Sequence, residues 1–199
     1  MGIHRPSTSP RPRERAAFTE LFSILSMGED TAAAAFSSLA ANHAAAAHDM
    51  SAIALEEEGH AALVHAVLRD LPKRRDDPAF RRAQCRFYLE IGRRDVAARF
   101  STIYALDSAV CMILSAARRC TTVARERPLA DALRQIHRDE ARHVRVSLFW
   151  ARQLAHDDDI GAQVRLTRSG LIDMLHHRAG DLAEIGLDVD ALFARLRPA

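Results

Sequence analysis

Apolar side chains recur along this chain with the spacing of helices almost from end to end. Phe18, Phe22, Leu25, Glu29, Ala32, Phe36 and Leu39 follow one another at intervals of three and four, the seam of a helix packed in a bundle. The pattern starts at Arg15 and breaks at Asn42-His43. A second segment runs to Leu71, where Pro72 and the charged run KRRDD stop it. Asp77-Pro78 opens a shorter helix that reaches Ile91 and Gly92. A third long segment carries Phe100, Ile103, Tyr104, Asp107, Val110, Cys111 and Leu114. After the turn RERP, with Pro128 near its start, a fourth carries Leu129, Leu133, Ile136, Glu140, His143, Ser147, Trp150 and Leu154. HDDD at 156–159 ends it. The last forty or so residues read as further helical pieces split near Gly180 and Gly186, with Asp188 or Asp190 as a cap.

The pattern therefore predicts an all-α chain of two helical hairpins. The connection from Pro72 to Gly92 is long enough to cross the bundle from end to end, and a C-terminal helical extension follows. Residues 1–14, basic and Pro-rich, read as a flexible N-terminal arm. Residues 15–199 read as one helical domain, with a core at 15–155 and C-terminal helices at 160–197.

Two of these seams contain side chains that an apolar core does not tolerate alone. Glu57 and His60 stand on the inward face of the second helix, flanked by Glu56 and Glu58. A lone buried carboxylate costs several kcal/mol and tends to neutralise itself by a pKa shift. RDEARH at 138–143 repeats the spacing, with Glu140 and His143 three residues apart on the fourth helix. Side chains at i and i+3 sit roughly 5–6 Å apart on one helix face, so one metal can take both an oxygen and a nitrogen. The helix before each motif carries one carboxylate in its own seam, Glu29 in the first and Asp107 in the third. Glu20 competes with Glu29, but it lies off the seam and far from the turn. In antiparallel hairpins Glu29 falls level with Glu57, and Asp107 with Glu140 if the second reversal lies near residue 123. Four carboxylates and two imidazoles then converge, and two divalent cations would balance the four negative charges. Mixed oxygen and nitrogen donors without a thiolate suit iron or manganese.

Composition narrows the setting. With 48% hydrophobic and 27% charged residues, the 199-residue chain is globular rather than disordered. Its 8 Gly and 7 Pro are few enough to favour helices. Cys85, Cys111 and Cys120 cannot all pair and form no CxxC motif, which points to free thiols in a reducing cytoplasm. No apolar run approaches the roughly 18–20 residues of a membrane span, and the N-terminus has no apolar stretch of a secretory signal. The expected location is cytoplasmic, with no membrane partner. The doublets Arg74-Arg75, Arg81-Arg82, Arg93-Arg94 and Arg118-Arg119 could offer a basic face to a phosphopantetheine carrier or tRNA. Interleaved with Asp and Glu and with a net charge of +2, they read more simply as a solvated surface.

The paired Glu-x-x-His motifs, each preceded by a carboxylate in an apolar seam, resemble the ferritin-like di-iron carboxylate superfamily over residues 15–155. RDEARHV is similar to the fourth-helix motif of bacterial non-haem di-iron oxygenases, including the p-aminobenzoate N-oxygenase family. The resemblance implies a ferritin-like four-helix bundle. It also implies two iron ions, or manganese in one or both positions, held by Glu29, Glu57, His60, Asp107, Glu140 and His143. It further implies that Asp139 orients His60 and that Glu56 orients His143, with Arg142 beside them. Asp107 is shorter than the usual Glu and could open a coordination position. Gly59 stands where the first motif often has Arg. Ile136 holds the place of an extra ligand His in the N-oxygenases, while His137, one position on, is a further candidate ligand at the edge of the seam.

The implied activity is O2-dependent oxidation, by hydroxylation or N-oxygenation, of a small or carrier-bound organic substrate, with an external electron donor and room for a homodimer. The rival readings are a ferritin-like ferroxidase, peroxidase or metal-handling protein, and a tRNA-hydroxylating di-iron enzyme. The run TAAAAFSSLAANHAAAA lines helix one with small side chains, Ala33 and Ala34 among them, that could leave a cavity beside Glu29.

Overall fold

The structure is a computed structural model that describes residues 11–73, 75, 77–92 and 95–197. Most of the expected N-terminal arm (1–10) and the residues Arg74, Arg93 and Arg94 of the Arg doublets lie outside the described residues. The described chain is helical, with no strand. In order the helices are α1 (Pro12–Asn42), α2 (Ala47–Arg69), α3 (Pro78–Gly92), α4 (Val96–Ala117), α5 (Thr121–Arg125), α6 (Arg127–Leu154), α7 (Asp157–His176), α8 (Ala179–Glu184) and α9 (Val189–Leu196).

Helix α1 begins three residues before Arg15, because Pro12 suits the first helical turn and the Glu14 carboxylate accepts the Arg11 N–H at 2.6 Å. It turns into α2 at His43, whose Nδ1 accepts the Ala46 N–H across a short 3₁₀ turn, Ala44–Ala46. The second hairpin, α4 with α6, reverses over residues 118–126 through α5 rather than at RERP alone. That spread centres the reversal where Asp107 and Glu140 need it to share a height.

The two hairpins, α1–α2 and α4–α6, pack through α2 against α6. The C-terminal helices complete the bundle rather than trail from it. Helix α7 lies along α4 and α3, α8 against α1, and α9 against α4 and α7. Gln163 donates to Thr102 Oγ1 and Arg168 to Ser108 Oγ, both at 2.8 Å, tying α7 to α4. Asp188 caps α9 through the Ala191 N–H. Cys85, Cys111 and Cys120 are free thiols. Helix α4 is long and apolar enough to cross a membrane, but 56% of its apolar stretch is buried inside the protein.

The apolar core comes in two pieces. One holds Phe18, Phe22, Val64, Leu114, Leu133 and Ile136; the other holds Phe36, Leu39, Met50, Ile53, Phe100 and Ile103. Along each of the four long helices, the change from one piece to the other falls at Glu29, Glu57–His60, Asp107 or Glu140–His143. A charged layer thus divides the bundle in the middle of its length.

Candidate metal centre

All six residues of that layer are buried: Glu29, Glu57, His60, Asp107, Glu140 and His143 are each 6% exposed or less. Glu29, Glu57, His60 and Glu140 each offer one ligand atom within 4.8 Å of the others, a group that could hold a metal ion. His143 joins them from α6, with Nδ1 2.8 Å from Glu57 Oε1 and 3.9 Å from Glu140 Oε1. Asp107 borders the same space, but Ser147 Oγ donates to its Oδ2 at 3.3 Å and it is not one of the four.

The two imidazoles are held crosswise between α2 and α6. Nε2 of His60 faces Asp139 Oδ2 at 3.2 Å, and Nε2 of His143 faces Glu56 Oε2 at 2.8 Å. Arg142 donates to the same Glu56 oxygen. An imidazole whose Nε2–H is donated to a carboxylate presents the lone pair of Nδ1 on its other side. For His60 that side meets Glu57 Oε2 at 3.3 Å and Glu29 Oε2 at 3.4 Å. For His143, Nδ1 stands 2.8 Å from Glu57 Oε1, and Glu140 Oε2 is buried without a hydrogen-bond partner. A carboxylate oxygen and an imidazole nitrogen this close, both buried, can be taken side by side by one cation.

Electrostatics lead to the same need. Burial pushes the Glu29 carboxyl up to about 8, with the Glu57 charge adding to it and His60 opposing. Asp107 and Glu140 are raised well above the ordinary carboxylate range, first by burial and then by neighbouring carboxylates. Glu57 alone goes down, to about 2, because hydrogen bonds with His143 and His60 outweigh the burial that would raise it. Burial would lower His60, but Glu29 and Glu57 outweigh it and hold the ring protonated up to about 10. Without added cations, the chain avoids four buried charges by keeping protons on its carboxyls.

The carboxylate side of the layer opens onto a cavity of about 130 Å³ between α1 and α4, closed by side chains of α3, α7 and α8. Glu29, Glu57, Asp107 and Glu140 all line it. Ala32 and Ala35 are part of its α1 wall, so small residues lie beside Glu29, but on a different phase from the one expected. Ala34 is exposed, and neither it nor Ala33 reaches the cavity.

Two expectations are corrected. His137 does not join the cluster; it lies on the outer side of α6, where the Arg118 guanidinium meets its Nδ1 at 3.0 Å. Glu20 is not off the packed face but buried at 1% exposure, in another cluster, where it accepts the Arg75 N–H at 3.0 Å and faces Arg178 at 3.4 Å. The C-terminal helices also reach the site: Leu171, Met174, Leu175 and Leu182 wall the cavity. The sequence reading also passed over Tyr88, whose signal was slight: an aromatic pair, Phe87-Tyr88, on an otherwise charged crossover helix. Compared with family models, curated proteins and solved structures, the chain matches none of them.

Proposed function

We propose that this protein is a non-haem di-iron oxygenase or oxidase of ferritin-like build, which uses O2 to hydroxylate or N-oxygenate a small organic substrate. The reading rests on one observation: a buried layer of four carboxylates and two outward-anchored imidazoles opens sideways onto an apolar cavity. Glu29, Glu57, His60 and Glu140, with His143 and Asp107 beside them, would hold the metals. Two redox-active ions there would supply electrons to O2 for oxidation of a molecule in the cavity.

The chain's own part is positional. Asp139 and Glu56 fix the two imidazoles with Nδ1 inward, and Ser147 holds the Asp107 carboxylate. The two apolar core pieces above and below keep water from the layer. The cavity favours an oxygenase over an iron store, because storage needs room for ions and water rather than an apolar chamber.

The test is elemental analysis after iron-replete expression, followed by ferrous iron and O2 without substrate. About two ions per chain and a few oxidised iron equivalents are expected. No metal, or zinc alone at one per chain, overturns the reading. Oxidation of many iron equivalents with a retained ferric mineral replaces it with metal storage. Asp107→Glu, which lengthens the side chain towards the cavity, should retain metal but impair substrate oxidation.

A further inference from the structure

The cavity beside the carboxylate layer carries information about what enters it. Its volume, about 130 Å³, is close to that of an engineered apolar cavity of roughly 150 Å³ in another protein, which stays dry and takes up benzene. Leu25 of α1, Ile103 of α4, Phe87 of α3, Met174 and Leu175 of α7 and Leu182 of α8 give it mostly apolar walls. Its polar end is formed by Glu29, Glu57, Asp107 and Glu140. Among the described residues lining it there is no Lys, Arg or His. Burying an anion there would strip its hydration with no Lys, Arg or His on the walls to answer it, at a cost of several kcal/mol.

The neutral polar groups on the walls are few. Thr31 already donates its hydroxyl to the Met27 carbonyl at 2.7 Å. Tyr88 directs its hydroxyl to the α1 wall beside Gly28, where a Cβ added to Gly28 would lie 3.5 Å from the phenol oxygen. That hydroxyl can meet one neutral polar substituent.

We propose that the cavity takes an uncharged, mostly apolar molecule about the size of one aromatic ring, with at most one neutral polar substituent, and rejects carboxylates and phosphates of the same size. The identity of this chamber as the substrate site rests on the oxygenase reading above; the ligand chemistry rests on the walls themselves. Aromatic acids and phosphate-bearing carriers are therefore not substrates, and the arene that enters is neutral.

The experiment uses the full chain loaded with iron, its metal content measured on the same sample, and titrates toluene, benzyl alcohol and benzoate by calorimetry. Toluene and benzyl alcohol should bind one per chain, each at least tenfold tighter than benzoate. Tyr88→Phe should weaken benzyl alcohol several-fold and leave toluene unchanged. Ala32→Phe, which fills the α1 wall, should cut toluene affinity at least tenfold with metal content retained. Crystals of the wild-type protein soaked in iodobenzene give a reading that does not depend on any variant folding, with iodine expected between Phe87 and Met174. Benzoate binding as tightly as toluene, iodine elsewhere, or uptake at crystal concentration only would each overturn the proposal. Metal at two per chain with no toluene binding overturns this inference and spares the metal centre. Toluene binding by a chain that never holds metal does the reverse.

Discussion

Glu20 and Glu29 lie on the same helix, are almost equally buried, and are answered in opposite ways. Around Glu20 the chain provides its own cations. Arg75 binds it through its backbone N–H, and Arg178, 4% exposed, reaches Glu20, Asp77 and Asp181 while lying over the Phe80 ring. Around Glu29 stand three more carboxylates and two imidazoles, with no Lys or Arg on the cavity side among the described residues. Buried negative charge needs a counter-charge. One cluster is completed by Arg178, 158 positions along the chain from Glu20, and the other is left short of positive charge by its own sequence. The difference separates a structural ion pair from a site built to be filled.

Removing a cation from the first cluster should have the largest effect. Arg178→Met strands buried carboxylates, and a loss of about 3–5 kcal/mol in urea unfolding is expected, with metal content unchanged. A loss below 1 kcal/mol would mean that the two clusters are less different than their surroundings suggest.

Adding cations to the second cluster should come next. With free metal at about a thousand times its dissociation constant, loading stabilises by about 4 kcal/mol. It should also reverse the dependence on pH. In the metal-free protein Glu29 titrates at about 8 against an ordinary 4.5, so between those values the folded state holds a proton that the unfolded chain has lost. That stability is complete below pH 4.5 and disappears as pH rises through 8. Asp107 and Glu140 act in the same direction, and His60, raised from 6.5 to about 10, adds a loss above pH 6.5. Glu57, lowered to about 2, opposes them only below 4.5. The melting temperature of the metal-free protein should therefore fall from pH 5.5 to 8, while that of the loaded protein should not. A parallel fall in both would show that metal does not engage these carboxyls. Loading at pH 7 should also release protons, measurable with a pH indicator.

Asp139→Asn tests whether the imidazoles are set from outside. Metal affinity should fall roughly 10–100-fold with the helical circular dichroism unchanged, and Glu56→Gln should act likewise through His143. Unchanged affinity would leave Asp139 as a surface carboxylate. The smallest effect belongs to Ser147→Ala, which removes the donor to Asp107. It should cost about 1 kcal/mol and leave the metal count intact; a lost metal would place Ser147 nearer the centre than its bond to Asp107 suggests.

Much of the fold was legible because seam residues repeat within a helix. The breaks at Asn42-His43, Asp77-Pro78 and HDDD need only local chemistry, and so does the inward phase of Glu57, His60, Glu140 and His143. Where partners come from afar, the reading failed. Nothing near Glu20 announces Arg178, so a carboxylate placed off the seam gave no sign of its buried ion pair. The walls contributed by α7 and α8 could not be foreseen, because an amphipathic tail does not say which groove it fills. The phase of the Ala run misled for another reason: four identical small residues carry no periodic contrast, so Ala32 and Ala35 could not be told from Ala33 and Ala34.

Helices α3, α7 and α8 give the cavity Phe87, Tyr88, Leu171, Met174, Leu175 and Leu182, yet none of them contributes to the carboxylate layer. The chamber and the cage therefore draw on separate stretches of chain, except along α1, α2, α4 and α6. A lineage could reshape what the protein accepts by substitutions in the crossover and the tail, without disturbing how it holds charge. Such a division makes the reactive part heritable as a fixed unit and leaves selectivity open to drift and selection.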